Sequence, residues 1–209
     1  MFSLQTIFGK GDKFYGLLEA SVESARLSTK ALIELLGTPA TQQSLEKFKL
    51  ARRREKDLFL QINEELVNTF VTVLDREDIE ALNSALYKIP KIVGKFAERY
   101  TLALDRMGSV DFSSQAAMLE QACKALKQMV GLLRKGMDLD KIKSLNDQLQ
   151  TIEAEADRQI LDLYRDAYAN ETDPIRYLIK MDLFEILEKA IDRCRNAGNV
   201  VYHIALKNS

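Results

Sequence analysis

Carboxylates at helical spacing are the residues of this chain best suited to chemistry. Glu153 and Asp157 stand four apart, and Glu188, Asp192, Arg195 and Asn199 follow one another at intervals of four, three and four. On an α-helix each set falls on one face. If the two helices that carry them pack together, the acidic stripes can face each other. Pairs of carboxylates from facing helices are how helical bundles hold hard or borderline metal ions. The same spacing also suits a solvated face, with Glu188, Asp192 and Arg195 as a surface ion-pair ladder. Glu55 is a different case. It falls in the middle of an apolar stripe that runs through Leu45, Phe48, Ala51, Phe59, Ile62, Leu66, Phe70 and Val73. A carboxylate on a packing seam is costly unless it is paired or bound to metal.

Other reactive residue types offer less. Arg52, Arg53 and Arg54 spread around too wide an arc for one patch and read as a solvated face. His203 is the chain's single histidine and has no cysteine or serine motif beside it. No glycine-rich phosphate loop, nucleophile elbow or His-Glu-x-x-His motif is present. Cys123 and Cys194 are the only cysteines and read as reduced, buried thiols rather than a disulfide.

The elements that must position these residues are helical. The 209 residues include 9 Gly and 3 Pro, where average usage would give about 15 and 10. So few turn-formers exclude many-stranded sandwiches and barrels. A net charge of −1 argues against wholesale nucleic-acid binding. The longest apolar runs fall far short of the roughly 20 residues that span a bilayer, and no targeting segment is visible. Apolar periodicity predicts six helices, over 12–36, 41–73, 75–107, 114–135, 139–168 and 175–206. Gly37-Thr38-Pro39 should stop the first, Thr41 should cap the second, and Gly136 should end the fourth. Pro174 suits the first position of the sixth. Pro90 falls inside the third, where a kink is expected. Short loops force antiparallel neighbours. The expected fold is therefore all-α, six long antiparallel helices forming two pseudo-repeated three-helix bundles in a single domain, with repeats at 12–105 and 112–208.

Four stretches resemble the PhoU-like phosphate-transport regulators, in particular the divergent branch associated with Pit-type phosphate permeases. They are Phe14-Tyr15-Gly16-Leu17-Leu18, Asp75-Arg76-Glu77-Asp78-Ile79, Ile152-Glu153-Ala154-Glu155-Ala156-Asp157, and Asp173-Pro174-Ile175 followed by Leu187-Glu188-Lys189-Ala190-Ile191-Asp192-Arg193-Cys194. They span nearly the whole chain in the family's order. The resemblance implies two three-helix bundles and a cytoplasmic role in regulating phosphate uptake. It also implies acidic metal motifs, one set per half. In the first half Glu55 matches the leading acid, but Phe59 stands where an Asp is expected. Tyr87, Lys88 and Lys91 occupy a stretch where the family is rich in Asp. That half should hold no metal, and lysines should face Glu55 and offset its charge. In the second half Glu153, Asp157, Glu188 and Asp192 all match, which makes them candidate ligands for a divalent or ferric ion. No other cofactor is expected. Arg195 and Asn196 stand where the branch usually has Glu and Asp. A fixed guanidinium there should repel a cation and substitute for the metal charge.

The leading functional expectation is a non-enzymatic regulator of inorganic phosphate transport that docks on a phosphate permease or a signalling protein. It would meet the inner membrane face only through that partner. The alternatives are a metal-binding carboxylate bundle, acting as a metal store or a metal-dependent hydrolase, and a self-assembling helical adaptor that forms homo-oligomers.

Overall fold

A computed structural model of the chain describes residues 4–108 and 110–209, with side chains from Lys13 onward. Six α-helices follow one another: α1 (Leu4–Leu36), α2 (Glu46–Asn68), α3 (Arg76–Met107), α4 (Ser113–Arg134), α5 (Leu139–Asn170) and α6 (Pro174–Lys207). Among the described residues there is no strand.

The stop and start signals explain most of the boundaries. The α1 backbone ends at Leu36, and the Gly37 N–H still donates to the Ile33 carbonyl at 3.1 Å. Beyond α4, Gly136 takes φ 92° and Met137 φ 51°, while both Lys135 and Met137 donate to the Leu132 carbonyl. This glycine-centred turn satisfies a helix-end acceptor. Asp138 caps α5 by accepting from the Lys141 N–H at 3.1 Å. Asp173 caps α6 by accepting from Ile175 and Arg176, with Pro174 in the first turn.

Three expectations fail. The first helix begins at Leu4, well before residue 12. The second begins at Glu46 rather than Thr41, because residues Ala40–Gln42 form a separate short 3-10 turn. It also ends at Asn68, before Phe70 and Val73, which therefore lie outside the buried stripe. The Arg76 guanidinium supplies the physical reason. It donates to the carbonyls of Leu66 and Thr69, taking acceptors that a continuing helix would need. Pro90 lies buried inside α3, which runs on through it to Met107.

The helices pack as two triples. In the first, α1, α2 and α3 touch pairwise; in the second, α4, α5 and α6 do. The triples meet through α1 on α4 and α3 on α6. Side-chain pairings show that these contacts are antiparallel. Glu23 meets Lys127 while Glu19 meets Arg134, and Arg99 meets Asp182 while Asp78 meets Lys207. The α2–α3 turn and the α5–α6 turn thus lie at opposite ends of the molecule. Phe112, just ahead of α4, is buried against Phe96, Tyr100 and Phe184, with ring centroids 4.7 to 5.9 Å away. Burial of four aromatic rings at this junction is a large apolar contribution.

Candidate functional site

The α5–α6 seam carries the second-half carboxylates. Each helix turns its apolar face to the core, through Ile142, Leu149, Ile152 and Ala156 on α5 and Leu187, Ala190, Ile191 and Cys194 on α6. Glu153, Glu188 and Asp192 are consequently held at the rim, half-buried, and Asp157 is exposed. The two stripes do face each other. Arg195 Nη2 donates to Glu153 Oε1 at 2.9 Å and to Asp192 Oδ1 at 2.7 Å, bridging the two helices. Asn196 Nδ2 donates to Asp192 Oδ2 at 2.9 Å, and its own Oδ1 accepts from Arg195 Nη1 at 3.1 Å. One turn further on, Gln150 Nε2 donates to Asn199 Oδ1 at 2.9 Å. Glu188 has no hydrogen bond or ion pair among the described residues. Its carboxyl is pushed up, first by burial, then by the charges of Asp157 and Asp192. Among the described residues no three His, Cys, Asp or Glu side chains are grouped so as to hold a metal ion. Four acids therefore share one neighbourhood, but the position between Glu153 and Asp192 is filled by a guanidinium.

The first half contains the counterpart of this site. The register that takes Glu55 to Glu153 takes Phe59 to Asp157, Asp75 to Asp173, Pro90 to Glu188, Gly94 to Asp192 and Ala97 to Arg195. Of the four seam acids at 153, 157, 188 and 192, only the leading one has an acidic counterpart in the first half. Glu55 is 1% exposed. Ser21 Oγ on α1 donates to its Oε1 at 2.5 Å, and its Oε2 is buried without a hydrogen-bond partner among the described residues. Burial pushes the Glu55 carboxyl up to about 7, against the lowering effects of Ser21, Ser24 and Arg54. The expected lysine partners do not face Glu55. Lys88 and Lys91 are exposed, because the seam beside Glu55 is lined by α1 serines instead. Phe59 and Tyr87 pack ring to ring at 4.7 Å near the position of the missing acids.

Ser21, Ser24, Ser28 and Thr29 form a buried polar strip on α1 that the apolar stripe did not reveal. Their helical spacing was the available signal. Arg52, Arg53 and Arg54 are all exposed, as is His203. Cys123 and Cys194 are free and fully buried, with sulfurs 3.6 Å apart where α4 crosses α6.

Comparison with known proteins bears on the architecture directly. A PhoU-like protein of Shewanella oneidensis superposes with a TM-score of 0.74 at 17% identity, covering 93% of this chain and 99% of that one. PhoU of Pseudomonas aeruginosa superposes with a TM-score of 0.66 at 17% identity, covering 99% and 98%. The chain has the PhoU-like fold. In sequence it is 21% identical over 203 residues, 94% of each chain, to a Rhizobium meliloti protein named "Putative pit accessory protein". It is 23% identical over 145 residues, 69% of this chain and 70% of the other, to UPF0111 protein YkaA of Bacillus subtilis. No family model matches the chain. The resemblance read from Asp75, Glu153, Asp173 and their neighbours thus agrees with the structural neighbours and with a near-full-length relative. In this chain the second half carries an acid at each of the positions 153, 157, 188 and 192, whereas at the corresponding first-half positions only Glu55 is acidic.

Proposed function

We propose that this protein is a non-enzymatic accessory or regulatory protein of inorganic phosphate transport that acts by docking on a phosphate permease. The observation that carries this reading is the match, along 94% of both chains, to a protein named as a pit accessory protein. The PhoU-like fold supports it. No helix among the described residues is long and apolar enough to cross a membrane, so on this reading contact with the bilayer is made through the permease.

The α2–α3 turn is the docking surface that the reading favours. Val67, Phe70 and Val71 are 82%, 94% and 54% exposed there. Glu64 and Glu77 flank them in exposed positions, with Asp75 3.6 Å from Lys207, while Arg76 is committed to the α2 carbonyls. An apolar tip with an acidic border complements the cytoplasmic loops of a membrane protein, which carry an excess of Lys and Arg. The test is purification of the tagged protein from detergent-solubilised cells of its source, with co-purifying proteins identified by mass spectrometry. A phosphate permease enriched above the untagged control is the expected result. Recovery of the protein with no transport component would overturn the reading.

A further inference from the structure

The PhoU-like resemblance implies metal at the α5–α6 carboxylates, and the residues present do not suit one. We propose that Arg195 is the permanent counter-ion of this seam and takes the place of a metal, so that α5 and α6 close without a bound cation.

The argument rests on geometry. A metal ion at this point would draw one oxygen from Glu153 and one from Asp192, linking the helices. Arg195 Nη2 makes that same link, at 2.9 and 2.7 Å. The Asp192 carboxylate is engaged on both oxygens, by Arg195 on one and by Asn196 on the other. Asn196 is itself fixed by Arg195 Nη1. Three side chains in succession thus lock one another, and each bond to Arg195 is charge-assisted or closes the ring. A guanidinium cannot lose its proton in a protein. It cannot step aside electrostatically for an arriving dication, as a histidine or lysine could by deprotonating. The Arg195 side chain is only 25% exposed, so swinging it out would break these bonds and leave its aliphatic stem unpacked. What remains for a cation is Asp157, which is exposed, and Glu188, which has no partner. Two carboxylates are a poor donor set for an ion that wants six oxygens. The first half points the same way. There the counterpart of Arg195 is Ala97, the counterparts of two acids are Pro90 and Gly94, and the surviving Glu55 is satisfied in part by Ser21. Neither half depends on a metal.

Manganese(II) is the appropriate probe, since carboxylate sites accept it. The full-length protein is melted in EDTA and in millimolar Mn2+, alongside R195K, R195Q and the double variant R195E/N196D. Wild type should melt at the same temperature in both media, because its cation is fixed; R195K, whose ammonium can deprotonate, should respond to Mn2+ less than R195Q does. R195Q removes the cation that bridges Glu153 and Asp192. It should melt lower than wild type in EDTA by roughly 3–6 °C and recover at least half of that in Mn2+. R195E/N196D should show the same recovery with a larger amplitude. If the double variant does not fold in EDTA, R195Q decides the matter. A wild type whose melting temperature rises in Mn2+ as far as that of R195Q would overturn the proposal. So would an R195Q that melts like wild type and ignores Mn2+.

Discussion

Glu55 and Glu153 occupy equivalent places in the two halves of the bundle, yet they are accommodated in opposite ways. Glu153 lies at the rim of its seam with 19% of its side chain exposed, and a guanidinium neutralises it from the facing helix. Glu55 is enclosed at 1% exposure, receives one hydroxyl hydrogen bond, and has no ion pair among the described residues. A carboxylate on a helical seam must shed or share its charge. The second half shares it with Arg195. The first half sheds it by taking up a proton as pH falls through about 7, to which burial pushes the Glu55 carboxyl. The same motif position thus supports a salt-bridged site in one half and a protonatable core residue in the other.

The largest expected effect follows from Glu55. Its folded value of about 7 lies above the ordinary 4.5, so the native state holds this proton more tightly than the unfolded chain. The stability linked to it is fully present below pH 4.5 and is lost as pH rises through about 7. At pH 8 the loss amounts to about 3 kcal/mol. Glu55→Gln keeps an acceptor for Ser21 and never ionises. Urea unfolding should find the variant close to wild type at pH 4.5 and more stable by about 2–3 kcal/mol at pH 8. Parallel pH profiles for the two proteins would show that Glu55 finds a partner or water after all, and the contrast with Glu153 would collapse.

Two glycines sharpen the comparison through packing. A Cβ at Gly198 on α6 would stand 2.3 Å from Leu149 Cδ1 and 3.2 Å from Asn146 Oδ1 on α5. Leu149 is 1% exposed and has little room to move. In the first half, a Cβ at the buried Gly94 would meet no atom within 4 Å. The Arg52–Glu98 and Phe59–Tyr87 contacts set Gly94 level with Glu55 along the α2–α3 seam. The seam with Arg195 is thus closed tightly, while the seam with Glu55 has slack. Gly198→Ala should cost about 1–2 kcal/mol, overpacking outweighing the gain in helix propensity. Gly94→Ala should gain about 0.5–1 kcal/mol. Thermal melts of the two single variants check both signs, and equal effects would mean that the seams are packed alike.

Where the chain's own chemistry is local, its outcome was legible from the residues. Asp173-Pro174 and Gly136 end or begin helices through bonds to their immediate neighbours, and they do so here. The facing of Glu153 and Arg195 was also legible, because one helical face on α5 and one on α6 fix it once those helices pack. The partner of Glu55 was not. That depends on which α1 face meets α2, and serines do not register in a hydrophobic stripe although Ser21, Ser24 and Ser28 are as buried as their apolar neighbours. The end of α2 was missed for a similar reason. Leu66, Phe70 and Val73 continue the helical period, but Arg76, from beyond the turn, takes the carbonyls of Leu66 and Thr69. A long-range hydrogen bond overrides a local pattern without altering it.

The smallest effect on stability is expected at Phe70, and that is what makes it informative. Its register partner in the second half is Tyr168, at the opposite end of the molecule. Tyr168 stacks on Tyr164 at 6.0 Å and on Tyr177 at 5.7 Å, so its ring is held by its own chain. Phe70 is 94% exposed and has no ring partner among the described residues. Burial on folding therefore gives no reason for a large aromatic at that position. Phe70→Ser removes no internal contact of consequence and should leave stability within about 0.5 kcal/mol of wild type. If the turn is the surface that meets a phosphate permease, the same variant should recover less permease on co-purification while the Tyr168→Ser variant recovers as much as wild type. Loss of permease from both variants, or from neither, would show that the two ends of the bundle do not differ in the way their aromatic residues suggest.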